Sequence, residues 1–589
     1  MQILELQKQR EFESKTKEKD VLILKASSQG HLGYFEATVR GDCFSTYVNV
    51  IKNIPSRDWD KDDKVWRIGL HDYDLLMKDC EKKSLKTIDV DYQLKSILKS
   101  FREWQYEMKQ LIAKDDTDFP IDESLLKTPL MPHQKVAVEF FLKRRTAING
   151  GEMGTCKTFP AILTAMILRQ QGKINNCLIV CPASVKWNWV KEMEMRVNNP
   201  SYTVIEGKPE KRVEGYFNKK FFKIVNFEVL RNDIEPILYD TVFDCIIIDE
   251  IHRIRTYKAK QTKALYNLGK NCKYRYGLTG TPLQNQLRDL HSIMRFIHPH
   301  ILGQWYVFDR RYIVKGYFGQ IVDHRNLNEV HDKLKTIMIR RMKSEVLKDL
   351  PPKVYEDIKI ELSKGQRKFY KDVKNQILKS DDEDVEDKIK QANILANFTF
   401  LREVCDSCEL IDNITNESSK LKELKLLVKE ILANGHKIVI FSQFRRMINI
   451  IDRELALPAI KLTGLVSTQK GIREGLIEEF TTSKKKNLFL MTTAGGEGIN
   501  LQCASYIILF DLPFNPQVVN QIEDRLHRKG QENKVTVIKL IAADTIEDRV
   551  LEILKIKTDL FSRVIDGKSG IPIKVTQKEL LNALHDFKE

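Results

Sequence analysis

Short apolar runs alternate with helix-period stretches in two separate parts of this chain. The first set is Thr146–Asn149, Asn176–Cys181, Phe222–Val225, Phe243–Ile248 and Tyr274–Leu278; the second is Lys437–Phe441, Ile460–Leu462, Leu488–Met491, Tyr506–Phe510 and Thr536–Leu540. Nearly continuous hydrophobic runs spaced by helices predict parallel strands covered on both faces. The fold class read from this is α/β, with two parallel-sheet lobes. Before them the pattern is β-rich: V-L-I-L-K from Val21, Y-F-E-A-T-V, then Tyr47–Ile51, with a polar turn over I-P-S-R-D-W-D-K-D-D-K-V-W-R-I-G-L. A small α+β domain is expected there. Residues 1 to 20 are charged and carry little core potential.

At 589 residues the chain is too long for one core, and about 150 residues per domain gives roughly three to four. Boundaries are placed at 1–20 (charged segment), 21–125 (N-terminal domain and connector), 126–299 (first lobe), 300–415 (helical protrusions and linker), 416–560 (second lobe) and 561–589 (tail). No window approaches a membrane span, and the start has no signal-peptide profile. Ten cysteines without a framework fit a reducing interior, so a cytoplasmic or nucleoid location is expected, nuclear in a eukaryotic host. Lysine- and isoleucine-rich usage points to a phage or bacterial origin. Cys405 and Cys408 read as packing residues, and the acidic run Asp381–Asp387 as a solvated loop or helix edge. A net charge of +16 favours a polyanionic partner held in a basic cleft.

The suggestive chemistry follows the strand ends, where ligands bind in parallel sheets. After Thr146–Asn149 comes G-G-E-M-G-T-C-K-T. Gly151, Lys157 and Thr158 fit the G-x-x-x-x-G-K-T phosphate loop, with Cys156 in a glycine place. Backbone amides from Gly154 through Thr155 and Cys156 to Thr158 would cradle phosphates. Lys157 would neutralise the terminal phosphates of ATP, and Thr158 would ligate Mg2+. If Cys156 must be left-handed, its side chain costs on the order of 1–3 kcal/mol. D-E-I-H supplies Asp249 for Mg2+ and Glu250 to polarise the attacking water. Gln134 has the amide needed to read an adenine edge. Thr279 and Thr281 would relay nucleotide state. In P-Q-V-V-N-Q-I-E-D-R-L-H-R-K-G-Q, Asn515 is a predicted N-cap and Pro516 the first helical residue. Gln521, Arg525 and Arg528 then share a helical face, suited to the charge on a transferring phosphoryl group. One lobe with lysine and magnesium ligands and another with arginines predict a composite site in the cleft between them.

In order, G-E-M-G-T-C-K-T, D-E-I-H, L-T-G-T-P-L-Q-N, I-M-I-R-R-M-K-S-E-V-L-K-D-L-P-P-K, L-R-E-V-C, F-S-Q-F, G-G-E-G-I-N-L-Q and the arginine motif resemble the Swi/Snf branch of superfamily-two helicase-like ATPases. The resemblance covers about Leu130 to Leu554. It implies two RecA-like lobes with helical protrusions, and ATP-driven translocation on double-stranded DNA. Departures are Cys156, Ile251, Leu526 and Lys529. By position, Arg525 and Arg528 would be arginine fingers, with Gly498 and Gln521 joining the nucleotide site. Ser184, Lys186, Gln443, Thr493 and Gly495 would meet DNA; Ser184 also suits an N-cap, and Lys186 a solvated charge. Trp187 and Trp189 read as packing residues.

The run N-V-I-K-N-I-P-S-R-D-W-D…V-W-R and then H-D-Y-D-L-L resembles the HARP domain of annealing helicases over about Val21 to Leu85. It implies recognition of forked DNA. Trp59, Trp66 and Arg67 suit base stacking and phosphate contact, and the tryptophans suit a small core equally well. The reading is a monomeric, ATP- and Mg2+-using translocase on double-stranded or forked DNA. The alternatives are a DNA-binding scaffold impaired at Cys156, or a motor that displaces proteins from DNA.

Overall fold

The computed structural model describes residues 21–27, 33–40, 44–235, 238, 241–283, 286–316, 321–380, 387–464, 472–493 and 499–567, with backbone alone at 322, 376–380 and 387–396. Two parallel sheets dominate it. The first has seven strands in the order Met338–Ile339, Thr146–Asn149, Tyr274–Leu278, Cys245–Asp249, Cys177–Cys181, Phe222–Asn226, Tyr202–Val204. The second has six: Lys353–Ile360, Val535–Ala542, Tyr506–Leu509, Ile438–Phe441, Leu488–Met491, Ala459–Leu462. These are two RecA-like lobes, and the chain is α/β as its hydrophobic pattern predicts. Central strands such as Cys177–Cys181 are buried at every position. Helices cover both faces of each sheet, giving each lobe two apolar layers.

Four strands fall inside the region expected to be helical, residues 300–415: Ile313–Lys315 and Ile321–His324 form an antiparallel pair of their own, and two more join the parallel sheets. Met338–Ile339 extends the first sheet, and Lys353–Ile360 pairs along its whole length with Val535–Ala542. The second of these, K-V-Y-E-D-I-K-I, is an edge strand with its middle exposed, so it lacks the continuous apolar run of its neighbours. Residues 561–566 also depart from the tail expected there. Phe561, Val564 and Ile565 pack into the first lobe's core, and Asp566 accepts from Arg340 Nε at 2.7 Å.

The N-terminal sheet runs Asp58–Asp60, Val65–Gly69, Tyr34–Arg40, Val21–Ala26, Ile88–Val90. Tyr47–Ile51, expected as a strand, is the second half of a helix, Phe44–Ile51. Its buried Tyr47, Val48, Val50 and Ile51 share a helical face, and that spacing outweighs the β-branched composition. This domain is docked on the first lobe. Lys333 Nζ lies 2.6 Å from Asp72, Arg57 donates to Tyr306 Oη at 2.6 Å, and Gln304 N donates to Pro55 O at 3.1 Å. A side chain at Gly303 would overlap the Pro55 carbonyl, so the two backbones meet in direct contact.

Candidate nucleotide site between the lobes

The strand Thr146–Asn149 ends in a loop that is tied in place before any ligand arrives. Gly151 N donates to Asn149 Oδ1 at 3.1 Å, and Thr155 Oγ donates to Glu152 O at 2.8 Å. A Cβ at Gly151 would come within 2.8 Å of that threonine oxygen. The loop is braced from the preceding helix, Pro132–Lys143. His133 Nε2 donates to Thr155 O at 3.1 Å and Gln134 Nε2 to Cys156 O at 3.2 Å. Gln134 Oε1 meanwhile accepts from Met131 N at 2.9 Å. The Gln134 amide is therefore committed to the loop and to its own helix start, not held out to an adenine edge. Thr158 opens the following helix, Thr158–Gln170. Cys156 is left-handed, with φ +56°, the backbone that the missing glycine would have adopted without strain.

Lys157 donates to Glu152 O at 2.9 Å, and burial draws its pKa down against the pull of Glu250 and Asp249. Asp249 closes the strand Cys245–Asp249. Burial, then the neighbouring Glu250, raises its carboxyl to about 6, although Trp189 Nε1 donates to its Oδ2 at 2.9 Å. Glu250 is half-buried, which by itself would raise its carboxyl, but His252, 3.2 Å away, and Lys157 hold it down to about 2. His252 Nδ1 also lies 3.2 Å from Thr279 Oγ and 3.5 Å from Thr281 Oγ. The two acids, the histidine and both threonines thus form one polar chain at adjacent strand ends. Trp189, whose ring packs in the core, also holds Asp249, and sequence reasoning missed that second role. Its signal was the spacing of W-N-W at the start of a helix, which looks like any core-facing pair.

From the second lobe, Asn515 caps the helix Pro516–Leu526 by accepting from Gln517 N at 3.0 Å. The helix stops at Leu526, so Arg528 is not on a continuous face with Gln521 and Arg525 as expected. It lies past the helix end and folds back, its Nε donating to Asp524 O at 2.9 Å. All three nonetheless line one cavity of about 270 Å³ with Gly154, Cys156, Lys157, Thr158, Asp249 and Glu250. Arg528 is half-buried in the cleft, and that burial draws its pKa down. Three cations from two lobes facing one space suit a polyphosphate. The oxygen donors Thr158 and Asp249, beside Glu250, fit a hard divalent cation such as Mg2+, and a cation there would relieve the crowding of the two acids.

The expected DNA-contact residues are more scattered. Ser184 lies in a short turn, Ala183–Val185, and lines the cleft mouth; it does not cap the helix Lys186–Arg196, whose N-cap is Val185. Lys186 is 8% exposed with Glu206 at 3.5 Å, so it is not a solvated charge. Gln443 is spent on Asp511 Oδ1 (2.9 Å) and Leu512 O (3.1 Å). Thr493 is exposed past the strand Leu488–Met491, while Gly495 and Gly498 lie outside the described residues. Arg67 pairs with Asp60 at 2.7 Å and Asp63 at 3.0 Å, which neutralises it within its own hairpin. Trp59 and Trp66 face each other across that hairpin at 4.8 Å; Trp66 packs on the core and Trp59 remains 42% exposed.

Fold and site define a two-lobed phosphate-loop protein with a composite nucleotide cleft. The SNF2-related domain model matches residues 133–410, the helicase conserved C-terminal domain model 420–530, and the HepA-related protein (HARP) model 44–91. The chain belongs to the Swi/Snf family of superfamily-two helicase-like ATPases. "Probable ATP-dependent DNA helicase CHR12" of Arabidopsis thaliana is 31% identical over 73% of this chain and 41% of its own length. "Uncharacterized ATP-dependent helicase MG018" of Mycoplasma genitalium is 31% identical over 77% of this chain and 44% of its own. The chain thus spans under half the length of these relatives. A solved structure, "Sulfolobus solfataricus SWI2/SNF2 ATPase core in complex with dsDNA", is 28% identical over 76% of this chain and 96% of that one, with a TM-score of 0.38.

Proposed function

We propose that this chain is an ATP-driven, double-stranded-DNA translocase that acts on branched or forked DNA. The observation that carries the reading is the shared cleft, in which Lys157 of one lobe faces Arg525 and Arg528 of the other. Bound ATP would draw the lobes together and its loss would release them, a cycle that can step along a duplex. Mg2+, held by Thr158 and Asp249, would supply charge neutralisation at the phosphates. Lys157 would grip the terminal phosphates. Glu250, kept ionised by His252, would accept a hydrogen bond from the attacking water and orient it. Arg525 and Arg528 would meet the charge that develops on the transferring group. Supporting a forked substrate are the HARP match over 44–91 and the rigid seating of that domain against the motor lobe. Among the described residues no helix is long and apolar enough to cross a membrane.

The left-handed Cys156 favours a second reading, a DNA-binding scaffold with impaired turnover. Phosphate release measured with fork, plain duplex and single strand separates the two. Turnover that rises with DNA, most with forks, supports the motor; no turnover with any of them supports the scaffold. Arg528→Ala should lower turnover by about 10³–10⁵ while duplex binding persists. Unchanged turnover in that variant would refute the composite site.

A further inference from the structure

At the amino ends of the first sheet's strands, a second cavity of about 530 Å³ opens between the motor lobe and the N-terminal domain. The nucleotide cleft is at the opposite strand ends, roughly 15 Å away for a five-residue strand. Five cations reach the second cavity. Arg145 precedes the strand Thr146–Asn149; Lys270, Lys273 and Arg275 surround the start of Tyr274–Leu278; Arg295 comes from the helix Leu287–Ile297. No carboxylate lines it, and none of the five is ion-paired with a carboxylate among the described residues. Three buried polar atoms, Tyr34 Oη, Arg275 Nε and His298 Nδ1, have no hydrogen-bond partner among the described residues, and all three residues border this cavity. Buried polar groups are rarely left so. Five cations with no carboxylate among them, of which Arg275 also donates to the Gly269 carbonyl at 3.0 Å, make a site for an anion.

The cavity does not end there. Arg295 and His300 are shared with a neighbouring groove that Arg57 and Tyr306 also line, with one acid, Asp58, at its border. The Arg57 guanidinium lies 5.1 Å over the Tyr306 ring and 5.6 Å over Trp66, which in turn faces Trp59. Tyr306 is exposed, as is Trp59. A cationic trough therefore leads into a row of ring faces, the pairing of features that grips an unpaired strand by its backbone and its bases. A free polyphosphate would use the cations but not the rings. A duplex could reach the exposed Arg145, Lys270 and Lys273, but its bases are stacked inside and cannot meet the ring faces of Tyr306 and Trp59.

We propose that this path is a binding site for single-stranded nucleic acid, with phosphates over the Arg145, Lys270 and Lys273 cluster and bases against Tyr306 and Trp59. It gives the unpaired arm of a fork a place on the motor, and rests on the forked-DNA reading only for the origin of that strand.

The test uses the full chain without nucleotide, so a failure of the motor reading would leave it intact. Fluorescein-labelled oligothymidylate is titrated at several salt concentrations into the parent and into Lys270→Glu/Lys273→Glu. Each phosphate contact to a single strand contributes about 0.7 to the log–log salt slope, so the double variant should lose about 1.4. In parallel, lysine acetylation is followed by mass spectrometry, and bound oligothymidylate should protect Lys270 and Lys273. An unchanged slope with no protection would overturn the site. Protection by tripolyphosphate but not by oligothymidylate would assign the cavity to a free polyanion and overturn the strand.

Discussion

Lys343 Nζ lies 2.6 Å from Asp524 Oδ1 and donates to the His527 carbonyl at 2.7 Å, while the backbone N–H of the same lysine donates to Glu152 at 2.7 Å. One residue thereby links the phosphate loop of the first lobe to the arginine helix of the second. The pair is nearly buried, and burial draws the lysine's pKa down while Asp524 holds it up. Removing one partner from a buried pair costs about 3–5 kcal/mol, because the other charge stays behind unpaired. Asp524→Asn should therefore free the loop, raising hydrogen exchange of the amides near Gly151–Thr155 roughly a hundredfold. Exchange unchanged within error would mean that the loop is held by Asn149, His133, Gln134 and the Lys343 N–H bond to Glu152 without help from Asp524.

That linkage was not legible in the sequence, and the reason is general. Lys343 and Asp524 stand 181 residues apart, and neither breaks a local rule. Lys157, Thr158 and Asp249 were legible because phosphate chemistry demands fixed spacing beside a buried strand. Lys353–Ile360 was missed because an edge strand needs no apolar run, and Phe44–Ile51 because β-branched residues also suit a helix whose packed face they fill. Arg528 was placed on the wrong surface but in the right cleft, since a chain past a helix end still stays near it.

Cys156 pays for a backbone that glycine would adopt freely. Cys156→Gly removes a cost of about 1–3 kcal/mol at φ +56°. Because the free loop already holds this shape, the strain is relieved in free and bound states alike: the variant should gain up to about 1–3 kcal/mol of stability to denaturant while its affinity for a non-hydrolysable ATP analogue, read by calorimetry, stays within about twofold. A rise in affinity of roughly fivefold or more would show instead that the strain is incurred in the binding step.

Trp189 is a core side chain that donates a hydrogen bond to Asp249 at 2.9 Å. Phenylalanine there would keep most of the packing and lose the donor. A hydrogen bond to a charged group is worth about 1.5–3 kcal/mol, so Trp189→Phe should lower ATP turnover roughly ten- to a hundredfold. The lost donor also raises the proton affinity of Asp249 further, so the acid limb of the turnover profile should move to higher pH. A drop in turnover with no movement of that limb would assign the tryptophan to packing alone.

The seam between the N-terminal domain and the first lobe holds several histidines kept neutral by burial. His71 is drawn down to about 4; Asp72 favours its protonation while Lys333 and His300 oppose it. It donates to the His300 carbonyl at 3.1 Å. His291, also drawn down to about 4, contacts the Gly303 carbonyl at 2.9 Å, and His298 is held well below its ordinary range. An unfolded chain takes up these protons below the ordinary 6.5, while the folded seam refuses them until about 4. The stabilisation is therefore complete above pH 6.5 and is lost as pH falls towards 4. At pH 5 the loss is about 2 kcal/mol for each of His71 and His291. Hydrogen exchange of the segments around Pro55 and Gly303, corrected for intrinsic rates, should show protection at pH 7.5 that falls at pH 5. His71→Gln keeps a donor for the His300 carbonyl and cannot titrate, so it should remove its share of that dependence. If the glutamine variant loses protection on acidification as steeply as the parent, the pH response of the seam belongs to other groups.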